Sequence, residues 1–334
     1  MKAQRLTELL DSAPSARILV LGDFFLDRYL VVSPALAERS IETGLVAYQV
    51  TEVVAAPGAA GTVAANLRAL GAQVQALGLV GDDGEGYELR RGLRALGAGD
   101  ALVSAAGWHT PTYTKPIVRP AMGAPQELER LDIRTRAPAP CQAIDTLLER
   151  LAELAPQADA VVVADQMPEA EHGTITARVR GLLAELAEQH PATWFLADSR
   201  ARIGEFRQVI AKPNLAECQR ASGLADELPA ARALQRRTGR PVFVTLGERG
   251  ILVVSGDTAE YVPGVAVSGP IDVVGAGDSA MAAIAAGLCA GATLAEAAQL
   301  GNLAAAVTIQ QLGTTGTASP DQIRALGCPS IELA

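Results

Sequence analysis

The stretch Asp272-Val-Val-Gly-Ala-Gly-Asp278, continued by the Ala-rich run from Ser279 to Ala290, decides how the rest of the chain is read. Two glycines beside an aspartate, opening a run of strong helix formers, predict a turn that feeds a helix N-terminus. Such a terminus carries unpaired backbone N–H groups and a partial positive charge, so it suits a phosphate or another anion. Gly275 and Gly277 keep that backbone clear of side chains, and a ligand can approach it closely. Asp278 is the odd member, because a carboxylate beside an anion site repels phosphate unless it has a task of its own. The task that fits is to accept a proton from a hydroxyl as that hydroxyl attacks phosphorus. An ordinary glycine-rich turn whose aspartate caps the helix is the alternative for this stretch taken alone.

The bulk properties narrow the setting. At 334 residues, with 49% hydrophobic and 19% charged residues, the chain has ample material for one large α/β core. A net charge of -9 argues against a general nucleic-acid binder, which needs a basic face. Cys141, Cys218, Cys289 and Cys328 are far apart, and His109, His172 and His190 are equally scattered, so no zinc spacing is present. Met1 to Pro14 is amphipathic and lacks the apolar core of a signal peptide. Ser279 to Leu294 is too rich in Ala and Gly to be a convincing membrane span. These features lead to the expectation of a cytoplasmic, reduced protein that works with neither a membrane nor nucleic acid.

Upstream, Arg17-Ile-Leu-Val-Leu-Gly-Asp23 predicts a short buried strand, and ligands of open α/β sheets sit beyond such strand ends. Asp23 and Asp27 are therefore candidates to hold a polyhydroxylated ligand; a turn cap and a surface pair with Arg28 are the alternatives. Pro57-Gly58-Ala-Ala-Gly61-Thr62-Val-Ala-Ala-Asn66 opens a helix, Gln73 to Val80 predicts a strand, and a helix from Gly86 to Leu96 follows. Residues 29–56 and 110–132 are rich in β-formers and predict a small sheet that covers a site as a lid. From Cys141 onward helices and strands alternate, which predicts a mostly parallel sheet. The strand ending at Asp165 and the one ending at Asp198 belong to it, with a helix from Thr174 to Gln189 between them. Asn214 and Glu217, in Pro213-Asn-Leu-Ala-Glu217, form a fair capping pair. Pro241 to Val254 reads as two strands joined by a turn containing Gly247 and Gly250. No linker divides residues 1–334, so one core domain with a lid is expected.

No G-x-x-x-x-G-K-[ST] occurs, and no G-x-G-x-x-G follows the first strand. The motifs instead resemble the PfkB-type, or ribokinase-like, sugar kinases over roughly residues 17 to 320. The resemblance implies a three-layer α/β sandwich with a mostly parallel central sheet and a small β-sheet lid. It implies Asp278 as catalytic base and Gly275, Ala276 and Gly277 as an anion hole. Asn214 and Glu217 match a motif that organises Mg²⁺, in this reading through ordered water. Thr245, Gly247 and Gly250 resemble the nucleotide hairpin, and Asn302 sits where the family lines the adenine pocket. ATP and Mg²⁺ are the implied cofactors, with a monovalent cation as a further candidate, and a homodimer through the lid is an expected assembly.

Within that family, Gly22-Asp-Phe-Phe-Leu-Asp-Arg-Tyr29, Thr112-Tyr-Thr-Lys115, Arg130-Leu-Asp132, Pro213 to Glu217 and Leu312-Gly-Thr314 are similar to heptose 7-phosphate kinases. Asp23, Asp27, Gly58, Asn66, Lys115 and Asp165 are the candidate acceptor contacts. Three stretches depart from the pattern: Gly58-Ala59 with Thr62, Asp165-Gln166-Met-Pro-Glu169, and Asp198-Ser199-Arg200. An acceptor that already carries a phosphate would need basic residues, and Arg28, Lys115, Arg119, Arg130 and Arg200 are placed to supply them. A kinase of a free sugar, like ribokinase or fructokinase, is the alternative enzyme. A catalytically idle regulator that binds sugar or nucleotide is the other, and retention of Asp278, Asn214 and Glu217 speaks against it.

Overall fold

The computed structural model describes residues 1–119, 126–313 and 315–327. Thr314 and Cys328, singled out above, lie outside the described residues, as does the 120–125 part of the expected lid. The chain begins with helix α1 (Ala3–Ser12), then strands β1 (Arg17–Gly22), β2 (Phe24–Arg39) and β3 (Val46–Ala59). Helix α2 (Ala60–Ala69), β4 (Gln73–Leu77), β5 (Leu79–Gly81), α3 (Gly84–Ala95), β6 (Gly99–Asp100) and β7 (Val103–Ala105) follow. Next come β8 (Thr112–Val118), β9 (Gln126–Glu127) and β10 (Leu131–Ile133). The regular alternation is α4 (Cys141–Leu154), β11 (Ala160–Asp165), α5 (Ala177–Gln189), β12 (Trp194–Ser199) and β13 (Ile210–Ala211). It continues with α6 (Leu215–Ser222), α7 (Glu227–Thr238) and β14 (Val242–Thr245). The last elements are β15 (Ile251–Ser255), β16 (Thr258–Val262), α8 (Ala276–Cys289), α9 (Leu294–Thr308) and α10 (Pro320–Gly327).

Nine strands form the main sheet in the order β16-β15-β14-β13-β12-β11-β1-β4-β6. All pairs from β6 to β14 are parallel, and β15 and β16 add an antiparallel edge. Alternation along β1 divides the core: Ile18 and Val20 pack on one face, Leu19 and Leu21 on the other. Leu67 of α2, Ile284 of α8 and Leu303 of α9 fill the first face. Leu147 of α4, Leu183 of α5 and Leu234 of α7 fill the second. Each fully buried leucine stabilises the fold by about 1.5–3 kcal/mol relative to exposure. This is the expected ribokinase-like three-layer arrangement.

The segments expected as a lid pair with each other in a second, smaller sheet. Here β2 and β3 form an antiparallel hairpin, β2 and β8 run parallel, and β9 and β10 pair antiparallel with β8. The hairpin is longer than expected, since β2 begins at Phe24 and β3 runs to Ala59, which places Asp27 and Gly58 inside strands. The predicted strand Gln73–Val80 divides at Gly78, where an added Cβ would meet the Gly22 carbonyl oxygen at 2.4 Å. Past that close approach the chain leaves the main sheet, and β5 pairs with β7. Helix α5 starts later than Thr174 because Thr176 caps it, while the Thr174 N–H is donated to Asp23.

Candidate active site

Six of the motif residues line one cleft of about 580 Å³: Thr245, Gly247, Gly250, Ala276, Gly277 and Asn302. The turn between β14 and β15 forms one wall, and only glycine fits it. Gly250 has φ +97°, and a Cβ there would lie 2.2 Å from the Val262 carbonyl oxygen. Asn302 donates from Nδ2 to the carbonyls of Val262 (3.1 Å) and Pro263 (2.9 Å), fixing the chain that leaves β16. Ile271, Val273, Ala305 and Ile309 make the rest of the wall apolar. Apolar walls with a few placed polar groups are what a purine base requires. A second hollow of about 690 Å³, lined by Arg90, Asp100 and Arg150, contains none of the motif residues.

The cleft ends at the N-terminus of α8. Gly275, with φ +82°, is the residue preceding the helix. The Ala276 N–H is donated to the Val273 carbonyl and that of Ser279 to the Gly275 carbonyl. The N–H groups of Gly275, Gly277 and Asp278 have no acceptor among the described residues, so they are the free donors of this terminus. Of the expected hole residues Gly275, Ala276 and Gly277, only Ala276 has its N–H engaged within the turn. Asp278 stands in the same turn. Burial, reinforced by Asp198, pushes its carboxyl up to about 7, against the opposing pull of Lys212 and Arg200.

Lys212 is the residue that sequence reasoning missed. It is 2% exposed, and its Nζ lies 2.8 Å from Asp198 Oδ2. A Cβ at Gly277 would lie 3.6 Å from that Nζ. Burial opposes the charge, but Asp198, Asp278 and Glu217 outweigh it and hold the ammonium above its ordinary value. The available signal was a lysine inside the apolar strand Val209-Ile-Ala-Lys212, since an interior lysine needs partners.

Asn214 and Glu217 form the capping box: Asn214 N–H donates to Glu217 Oε2 (2.8 Å), and Glu217 N–H to Asn214 Oδ1 (2.9 Å). Glu217 Oε1 has no partner among the described residues. Burial and the nearby Asp198 raise the Glu217 carboxyl above its ordinary value. A divalent cation would relieve that repulsion, so the donor set fits one. No group of three or more His, Cys, Asp or Glu side chains able to hold a metal occurs among the described residues.

Facing this assembly is the small sheet. Asp27, Tyr113 and Asp132 are register partners across β2, β8 and β10, and so share one face. Lys115 Nζ lies 3.4 Å from Asp27 Oδ1 and donates to the Tyr29 hydroxyl at 3.2 Å. A Cβ at Gly58 would fall 2.3 Å from Asp27 Oδ2, so glycine there leaves room for the carboxylate. The field of Asp27 reaches Asp278, which ties the two sides together.

Three of the candidate acceptor contacts do other work. Asp23 is 2% exposed and accepts the backbone N–H groups of Gln166 (2.8 Å), Met167 (2.9 Å) and Thr174 (2.7 Å). Asp165 is 1% exposed and accepts from Ser199 Oγ (2.6 Å) and Arg202. Burial raises both carboxyls, and they repel each other across the Arg202 guanidinium. Together they clamp the loop after β11; neither presents free oxygens to a ligand. Asn66 is 1% exposed and donates to the carbonyls of Thr62 and Gly316, tying α2 to the loop beyond α9. Of the expected basic residues, Arg28 is held by Glu85 and Glu88, and exposed Arg119 by Glu52.

A glycine-walled cleft thus meets a helix N-terminus, beside a carboxyl whose pKa is raised. The chain belongs to the pfkB family of carbohydrate kinases, whose sequence model matches residues 16–322, and is thus a phosphotransferase. The family implies ATP and a divalent metal. Bifunctional protein HldE of Shewanella baltica (strain OS185) is 32% identical over 328 residues, covering 93% of this chain and 63% of the relative. Bifunctional protein HldE of Gluconobacter oxydans is 30% identical, with 95% and 66% covered. The chain therefore spans about two thirds of the length of these curated relatives. Phosphofructokinase-2 from Escherichia coli in complex with substrates and products has the same fold, with TM-score 0.69 at 22% identity, covering 93% of this chain and 97% of that one. Adenosine kinase from Sinorhizobium meliloti matches with TM-score 0.65 at 22% identity, covering 91% and 97%. Among the described residues no helix is long and apolar enough to cross a membrane.

Proposed function

We propose that this chain transfers the γ-phosphoryl group of ATP to a hydroxyl of a sugar or sugar phosphate, most like D-glycero-D-manno-heptose 7-phosphate. The observation that carries the reading is Asp278, a carboxyl raised to about 7 between the cleft and the face bearing Asp27 and Lys115. ATP supplies the phosphoryl group, and a bound Mg²⁺ would screen its phosphate charge. Asp278 takes the proton of the acceptor hydroxyl as its oxygen bonds phosphorus and ADP departs. The free N–H groups of Gly277 and Asp278, with the Lys212 ammonium, balance charge on the transferred group. Glu217 Oε1 would hold Mg²⁺ through water, and Thr245, Gly247, Gly250 and Asn302 shape the nucleotide pocket. Asp27, with Gly58 behind it, accepts hydrogen bonds from sugar hydroxyls.

The heptose phosphate reading is supported by the matching stretches at 22–29, 112–115 and 130–132 and by the similarity to bifunctional protein HldE. We treat residues 1–334 as one kinase domain, with the small sheet closing over the acceptor. The outer hairpin exposes Ile41, Leu45, Val46, Tyr48 and Val53, and a second copy of the chain is the partner proposed for it. Use of ATP and the free thiols of Cys141, Cys218 and Cys289 among the described residues fit a cytoplasmic setting. A coupled ADP-release screen over sugars and sugar phosphates tests the activity. If none of the acceptors tried raises ADP release above the rate without acceptor, the idle regulator is the better reading.

A further inference from the structure

The second hollow, of about 690 Å³, is built from residues that the cleft does not use. It lies at the β6 edge of the main sheet, among α3, the β6–β7 connection and the start of α4. Gln142, Thr146 and Arg150 recur every four residues along α4, so they form one stripe and one wall. Arg90 of α3 and Ser104 of β7 belong to the other walls. The two arginines are brought side by side: Arg90 Nη2 (3.0 Å) and Arg150 Nη1 (2.9 Å) both donate to the Leu102 carbonyl oxygen. Arg150 Nη1 also donates to the Ala101 carbonyl at 2.8 Å. Among the described residues the carboxylate that answers this charge is Asp100, and it is shared between Arg90 and Arg94. Arg150 is half-buried and forms no ion pair among those residues. Pinning the β6–β7 connection occupies its Nη1 and leaves Nε and Nη2 with no acceptor there. Like charges held against one carbonyl repel, and removal from water strengthens the repulsion. An anion in the hollow would relieve it.

We propose that this hollow is a binding site for a phosphate-bearing small molecule, separate from the cleft and independent of the function proposed for it. Arg90, Arg94 and Arg150 against Asp100 leave two positive charges in a chain whose net charge is -9. A phosphate monoester carries a charge of roughly -1.5 to -2 at neutral pH, which matches that excess. Nε and Nη2 form the side of the Arg150 fork that pairs with two phosphate oxygens in parallel. Ser104, Gln142 and Thr146 add hydroxyl and amide groups for the rest of the molecule, and Val103 and Ala143 add apolar surface. Small-molecule sites enclose roughly 300–1,000 Å³, so the hollow has room for a sugar phosphate or a nucleoside monophosphate.

The test follows backbone amide resonances of the full chain by NMR while inorganic phosphate, AMP or glucose 6-phosphate is titrated in. Saturable shifts at Ser104, Gln142 and Ala143 are expected with at least one of the three, and the three arms tell bare phosphate, a nucleotide and a sugar phosphate apart. The amides of Gly277 and Asp278 report the cleft separately. Affinity read at the hollow should fall at least tenfold in Arg150→Ala and recover in part in Arg150→Lys. It should fall equally in Ala106→Trp, which fills the hollow without removing a side-chain hydrogen bond. Any shift at Gly277 and Asp278 should be the same in all variants. Because no turnover is read, the result does not depend on whether Asp278 proves to be a base. The absence of a saturable shift at Ser104, Gln142 and Ala143 with all three probes overturns the proposal, as do shifts unchanged in both Arg150→Ala and Ala106→Trp.

Discussion

The proposed nucleotide side and the proposed acceptor side of this site are built by different means. The nucleotide side uses backbone: two tight glycine turns, a helix N-terminus, and one amide fixing a strand end. The acceptor side uses charged side chains brought together by register across three strands and by the approach of a second sheet. Backbone sites are local in sequence, and Thr245, Gly247, Gly250 and Asn302 all line the cleft, while Asn214 and Glu217 lie outside its lining. Sites made by register are not local. Of the six residues expected at the acceptor, Asp27, Gly58 and Lys115 are on the facing sheet, while Asp23, Asp165 and Asn66 hold loops together. A carboxylate at a strand end has two uses, and only the structure shows which one its oxygens serve.

The largest effect should fall where the two sides meet. Asp278→Asn should lower kcat by roughly 10²–10⁴-fold and leave ATP affinity near that of wild type, measured by steady-state kinetics and nucleotide titration. The same variant should melt higher than wild type at pH 8, by an amount that shrinks toward pH 5. The folded chain holds the Asp278 proton up to about pH 7, whereas the unfolded chain releases it near about pH 4. Stability from this group is thus complete at low pH and is lost as pH rises through about 7.

Next in size is the contrast between two aspartates four residues apart. Asp27→Asn should raise the acceptor KM roughly ten- to hundredfold. Asp23→Asn should instead lower the melting temperature, because buried N–H groups lose their carboxylate at a cost of at least about 2 kcal/mol. The reverse pattern, an acceptor effect at Asp23 and a purely thermal one at Asp27, would remove the distinction. Glu217→Gln should raise the Mg²⁺ concentration for half-maximal rate several-fold, while acceptor KM changes little. A lower melting point with unaltered Mg²⁺ response would reduce Glu217 to its capping role. The smallest effect is at Ala59, where a non-glycine residue is held at φ +54° and ψ -115°. Ala59→Gly should stabilise the protein by about 1–3 kcal/mol in urea unfolding.

Most of the fold was legible because alternation from Cys141 onward and the β-rich stretches are local patterns. The divided strand at Gly78 was not, since the cause is a carbonyl oxygen from Gly22, distant in sequence. Within the site, Gly250, Gly275 and Asp278 were readable from turn chemistry. Lys212 was not singled out because its partner Asp198 comes from a neighbouring strand and its neighbour Gly277 from a helix far along the chain.

The central claim, that Asp278 is a proton acceptor tuned by its surroundings, is tested most directly by the pH dependence of kcat/KM for the acceptor. For wild type at saturating ATP and Mg²⁺, the logarithm should rise with unit slope below about pH 7 and level off above it. In Asp278→Asn the residual rate should lose that rise. A wild-type profile that is flat between pH 5 and 8, or a rise near pH 7 that survives in Asp278→Asn, would contradict the account.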